Sequence, residues 1–387
     1  MQRYLKILTI MIVLTPCSTT LFAATRYLVT NDENEAGNTA TIYSIRQGGQ
    51  LTLIATIPIP ANGANGAFFA GEQTSILRSE TENCLFVGDA IGQDLVPPGD
   101  VAAIDMNTLT LVGTFPGSLQ DSGLLSGVGL AESRSANFLF ASYTASKTLA
   151  TYVRMPGCKL QFVSEISGNG LHNGVVDGMR VTPDGKTLVV AYGDGSIGSY
   201  HINSKTGALS LVSRRVTQDE EDGVDITADG KWAVFGDAAV HSTVSVAPIR
   251  ADGSLGVPKN YAVGKGESAQ NVWLSPDETL LYVGNNFSGT ISAAPFNKLT
   301  GVVDSAHSCT SPVLSGFNSA WVSLGTVVGG PTGSGSPLYV AEEGDIASIG
   351  IVNVTKPCTL AEAKGSPVSD PNSSLLVTIG EDPPRAF

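Results

Sequence analysis

The chain has 387 residues, 35 acidic against 22 basic, and a formal net charge of −13. That balance excludes a nucleic-acid binder, which needs a basic stripe against the phosphates, and a protein that docks on anionic lipid. With 44 glycines, only 15% charged residues and no long stretch of 3.6-residue periodicity, it also argues against a helical fold and for many short strands on tight turns.

The first 24 residues predict a secretory signal peptide. Arg3 and Lys6 form a basic start, Ile7 to Leu14 an apolar run too short to span a bilayer, and Ala23 and Ala24 a small-residue cleavage site. Cys17 follows Pro16 and is a poor fit to a lipid-anchor box. The mature chain, 25–387, is then expected in the periplasm or outside the cell as one monomeric domain. Its Cys84, Cys158, Cys309 and Cys358 can form two disulfides by any of three pairings, and no CxxC suggests a metal thiolate.

From residue 27 a short apolar phrase ending in a small turn recurs seven times. It reads YLVTN at 27–31, LFVGD at 85–89, LFASY at 139–143, LVVAY at 188–192, AVFGD at 233–237, LYVGN at 281–285 and LYVAE at 338–342. Recurrence at this period marks a repeat architecture. The copy from Gly178 divides into GMRVT, TLVVAY, SIGSYHI and ALSLV, separated by PDGK, GDG and NSKTG, whose Asp-Gly and Thr-Gly pairs suit tight hairpins. Four antiparallel strands per repeat predict an all-β, seven-bladed β-propeller. The first copy lacks an inner strand. The tail segment EDPPRAF parallels ESAQNVW at 267–273, so the two chain ends are expected to share a blade.

The pattern SPDxxxLYVxN followed by a Gly turn and a TG hairpin resembles the lactonase-type, or YVTN-type, propellers, which include 6-phosphogluconolactonase and the muconate-lactonising propeller. The resemblance covers roughly 26–387 and implies a hydrolase of cyclic esters. In such enzymes a histidine about six residues before the Pro of the SPDG turn, with nearby arginine and glutamate, works at the channel mouth. Here that position holds Asp177 before Pro183, Asp222 before Ala228 and Gln270 before Pro276. Thr74, Ser126 and Asn318 take it in three other blades, and Pro384 in the shared one. The nearest histidine in the chain is His172, on the loop leading to Asp177.

Two readings follow. Thr74, Ser126, Asp177, Asp222, Gln270 and Asn318 form an oxygen-rich ring suited to a hydroxylated neutral ligand or to a hard cation such as Ca²⁺, with Asp177 and Asp222 as its ligands; a merely water-filled mouth fits the same residues. Alternatively Asp177, Asp222 and His172 are the catalytic groups of a lactone hydrolase. Charge sorts by face: the loops assigned to the mouth hold 21 acidic residues and two basic ones, Lys147 and Lys265. Such a field attracts a cationic ligand or a basic protein partner and repels anions, which favours a neutral over a phosphorylated lactone.

Overall fold

The computed structural model describes residues 26–32, 37–46, 48–60, 76–79, 81–89, 100–117, 128–144, 146–217, 220–238, 242–316, 324–329, 337–342, 348–355, 358–370 and 378–382. All seven recurring phrases are the second strands of antiparallel sheets: Arg26–Asn31, Cys84–Asp89, Phe138–Tyr143, Thr187–Tyr192, Trp232–Asp237, Leu280–Asn285 and Leu338–Glu342. Apolar residues fill them without alternation because both faces of each sheet are covered by neighbouring blades. Phe138–Tyr143, Thr187–Tyr192 and Leu280–Asn285 are buried at every residue.

Blade 4 shows the unit: Val176–Val181 innermost, then Thr187–Tyr192, Ser196–Ile202 and Leu209–Val216 at the edge, paired in that order. Blades 2, 3, 5, 6 and 7 begin with the inner strands Ile76–Arg78, Val128–Ser133, Glu221–Ile226, Ala269–Leu274 and Leu324–Gly329. The turns behave as their residues demand. Gly185 and Gly230, closing the DG turns of blades 4 and 5, take φ of 72° and 69°. In blade 6 Glu278 takes that place at φ 57°, and its carboxylate accepts the Ala228 N–H and meets Lys298 Nζ at 3.5 Å.

Blade 1 closes the ring. Its inner strand, Thr378–Asp382, pairs with Arg26–Asn31 in the register Asn31↔Thr378 to Tyr27↔Asp382. Ring closure by both chain ends is therefore as expected, but the described strand begins three residues before the segment expected, EDPPRAF, and shares only Glu381 and Asp382 with it. TIGED can lend an N–H to the ladder at every residue; the two prolines of EDPPRAF cannot. Pro384 lies outside the described residues.

The apolar core is a series of layers between blades. Val29, Ile42, Leu85 and Ile104 fill the seam of blades 1 and 2; Phe140, Leu149, Val190 and Tyr200 that of blades 3 and 4. Leu28 and Tyr43 of blade 1 join Val340, Ile349 and Ile351 of blade 7 and Tyr282 and Ile291 of blade 6 in one cluster. The disulfides are Cys84–Cys158 and Cys309–Cys358. The first ties blade 2 to blade 3 and the second blade 6 to blade 7. Among the described residues no helix is long and apolar enough to cross a membrane.

Candidate functional site

Inner strands in blades 4, 5 and 6 carry a β-bulge near their N-terminal end. In blade 4, Val176 pairs with Tyr192 and Gly178 with Ala191, leaving Asp177 as the extra residue. In blade 5, Asp222 and Gly223 together oppose Gly236. In blade 6, Gln270 is extra between Ala269 and Asn271. A bulge breaks the two-residue alternation and re-aims one side chain. The aligned polar position of the sequence is thus, in these three blades, a backbone irregularity. Blade 3 pairs in register from Val128↔Tyr143 onward. In blade 7 the bulge spans Gly325 and Thr326, downstream of Asn318.

The bulges of blades 4 and 5 bring carboxylates together. One oxygen each from Asp177, Glu220 and Asp222 lies within 4.8 Å of the other two. Asp177 and Asp222 are buried and Glu220 is exposed. The Gln270 side chain hydrogen-bonds Asp222, so three successive blades meet here. Oxygens that share one Ca²⁺ at 2.3–2.6 Å stand no more than about 5 Å apart, which this spacing satisfies. The residues present therefore fit a hard cation.

Burial pushes the Asp222 carboxyl well above the ordinary range; the Glu220 and Asp237 charges add to this and the Gln270 hydrogen bond opposes it. Burial also raises Glu220. Glu221, wholly buried beside them, is raised by burial and by Asp237 and Asp222, against the hydroxyls of Ser245 and Thr217. Such a group of carboxylates either keeps protons or takes up positive charge.

Two glycines make the approach. A Cβ on Gly178 would lie 2.3 Å from the Asp222 carbonyl oxygen, and one on Gly193 would lie 2.4 Å from Asp177 Oδ2 and 3.3 Å from Glu220 Oε1. The two obstacles differ in kind. Gly178→Ala meets backbone, must part blades 4 and 5, and should cost about 1–3 kcal/mol. Gly193→Ala meets side-chain ends and should displace the carboxylates at little cost in stability. Denaturant unfolding together with cation titration of both variants checks the contrast.

His172 is exposed, and its place is set by its backbone: its N–H donates to Asp194 Oδ2 at 2.7 Å, which also accepts Gly174 N–H at 2.8 Å. It is not part of the carboxylate trio. Thr74, Ser126 and Asn318 lie outside the described residues. Glu220 and Gly193 were not singled out in the sequence. The acidic run DEED at 219–222 was the signal for Glu220, but one position per blade leaves no place for it.

No protein-family model matches the chain, and no curated protein sequence does. Solved structures do. A 6-phosphogluconolactonase candidate from Bacteroides fragilis is 15% identical at TM-score 0.69, covering 95% of this chain and 99% of its own. A second such candidate, from Bacteroides uniformis, is 12% identical at 0.68, covering 92% and 99%. The fold is that of the lactonase-type propellers. The periplasmic gluconolactonase PpgL of Pseudomonas aeruginosa is 18% identical at 0.57, covering 72% of this chain and 80% of its own. At these identities the likeness concerns the fold, and activity has to be argued from the site.

Proposed function

We propose that this is an extracytoplasmic lactonase-like propeller that binds a cation, or a ligand presenting one, at the acidic mouth of its channel. The observation that carries the reading is the convergence of Asp177, Glu220 and Asp222, from two blades, within 4.8 Å. Three carboxylates at that spacing repel one another, and a divalent cation removes the repulsion while using oxygens already gathered. The acidic loops of the same face would raise the local cation concentration and favour a basic partner over an anionic one. Placement outside the cytoplasm is supported by the signal-like start of the chain and by two disulfides, which persist in oxidising compartments.

Calorimetric titration with Ca²⁺ of protein stripped by chelator tests this, with Asp177→Asn and Asp222→Asn alongside. Saturable binding by the wild type, weakened at least about tenfold in each variant, is the expected result. Indifference of the wild type to Ca²⁺ and to small organic cations would remove the reading.

A second reading, hydrolysis of a neutral lactone, draws support from the named activity of the Pseudomonas neighbour and from one feature of the site. A carboxyl whose burial favours its protonated form, Asp222, beside a second carboxyl, Asp177, is the pairing that general acid–base chemistry needs. It predicts turnover of neutral lactones that Asp177→Asn and Asp222→Asn abolish; a panel showing none, with or without Ca²⁺, would dismiss it.

A further inference from the structure

A second buried carboxylate pair lies away from the trio, where the ring closes. Asp32 directly follows the strand Arg26–Asn31, and Asp370 directly follows the last strand of blade 7, Val368–Ser369, on the leg of chain that leads to Thr378–Asp382. Both are fully buried. Thr30 Oγ1 stands between them, 2.5 Å from Asp32 Oδ1 and 3.2 Å from Asp370 Oδ2. Asp32 Oδ2 also accepts the hydroxyls of Thr39 at 2.5 Å and Thr41 at 2.7 Å. The Tyr43 phenol faces Asp370.

Thr30 carries one proton and can give it to only one of the two carboxylates. With both ionised, two like charges one hydroxyl apart would sit buried from bulk solvent. We propose that Asp32 and Asp370 share a single proton, and that this proton fastens the seam at which the two chain ends close the propeller. Among the described residues the seam is also held by the Thr378–Asp382 ladder, the Leu28–Val340 apolar layer, and a Tyr339 hydroxyl donating to Gly49 O at 2.9 Å. Loss of the proton sets repulsion between blade 1 and blade 7 against those contacts.

The direction with pH follows from the burial. Burial, then the Asp370 charge, lift the Asp32 carboxyl, with the three threonine hydroxyls opposing; the phenol of Tyr43 is lifted too and stays neutral. In the unfolded chain both aspartates ionise near pH 3.9, so from about pH 4 upward the folded state holds the extra proton and stability falls as pH rises, until the pair gives that proton up.

The test uses the whole protein and Asp370→Asn, which keeps the shape and removes one charge. The amide hydrogen exchange of Arg26–Asn31 and Thr378–Asp382, corrected for intrinsic rates, and the Tm are followed from about pH 5 to about pH 9. In the wild type, protection of these two strands is expected to fall across that range, and in Asp370→Asn, where burial alone lifts Asp32, to fall less. The Tm of the variant relative to wild type should rise by about 2–4 °C over the range. A Tm difference independent of pH, or wild-type strands equally protected at both ends of the range, overturns the proposal. If Asp370→Asn does not fold, Asp32→Asn and the wild-type exchange profile give the same decision.

Discussion

Removing either disulfide should lower the unfolding free energy by about 4 kcal/mol, the chain-entropy value for the loops they close. Cys84 and Cys158 are 74 residues apart in sequence, Cys309 and Cys358 49 apart, so the two effects should differ by only a few tenths of a kcal/mol. Each bridge joins neighbouring blades, and neither lies within one sheet. Cys84 sits on the second strand of blade 2 and Cys158 in the outer hairpin of blade 3, packed in the same apolar layer as Phe86 and Tyr152. A ring of blades has no single centre to hold it, so a bond across a seam constrains the unfolded chain and resists parting of the seam. Denaturant unfolding of the Cys84→Ser/Cys158→Ser and Cys309→Ser/Cys358→Ser variants reads the effect. Midpoints unchanged from wild type would show that the apolar layers alone set the stability.

The second large effect is expected at Arg154, on the face opposite the mouth. Its side chain is fully buried and meets Glu132 Oε1 at 2.9 Å, Thr81 Oγ1 at 2.6 Å and Ser79 Oγ at 3.3 Å, which ties blade 3 to the inner-strand turn of blade 2. Arg154→Met should cost about 3–5 kcal/mol, because it leaves a buried carboxylate without its cation. Burial already lifts Glu132, with Arg154 and the hydroxyls of Ser79 and Thr81 holding it down. Without the guanidinium that carboxyl rises further above its unfolded value. The variant should then be least impaired at acid pH and lose stability as pH rises above about 4. Glu132→Gln added to Arg154→Met should recover most of the loss. Unfolding at about pH 5 and pH 8 checks both points, and a cost equal at the two values would refute the account.

Much of the blade architecture was readable because propeller strands bury both faces. LLYVGN and TLVVAY are apolar without a break and end in small or polar turn residues, and that phrase survives in every blade. The closing strand was less readable. TIGED carries little of the apolar phrase, and its assignment rests on which residues reach Arg26–Asn31, a contact nearly the whole chain length away. Disulfide pairing was undetermined for the same reason: three pairings are open until the order of blades in space is known.

At the mouth, spacing along the chain identified Asp177, Asp222 and Gln270 as equivalent positions. That equivalence is local, since each lies at a fixed distance before its own turn. What they share physically is a bulge, and a bulge is defined by the partner strand. Glu220 enters the trio only because blade 4 stands beside blade 5 with Gly178 and Gly193 leaving room between them.

The sequence by itself thus determined the number of blades, their turns and the acidic character of one set of loops, all of which depend on residues close together in the chain. Tertiary structure alone decided which carboxylates meet, where the ring is latched and which cysteines pair. Those depend on distances between blades, and charge repulsion, desolvation and packing act through distance in space, whatever the separation along the chain.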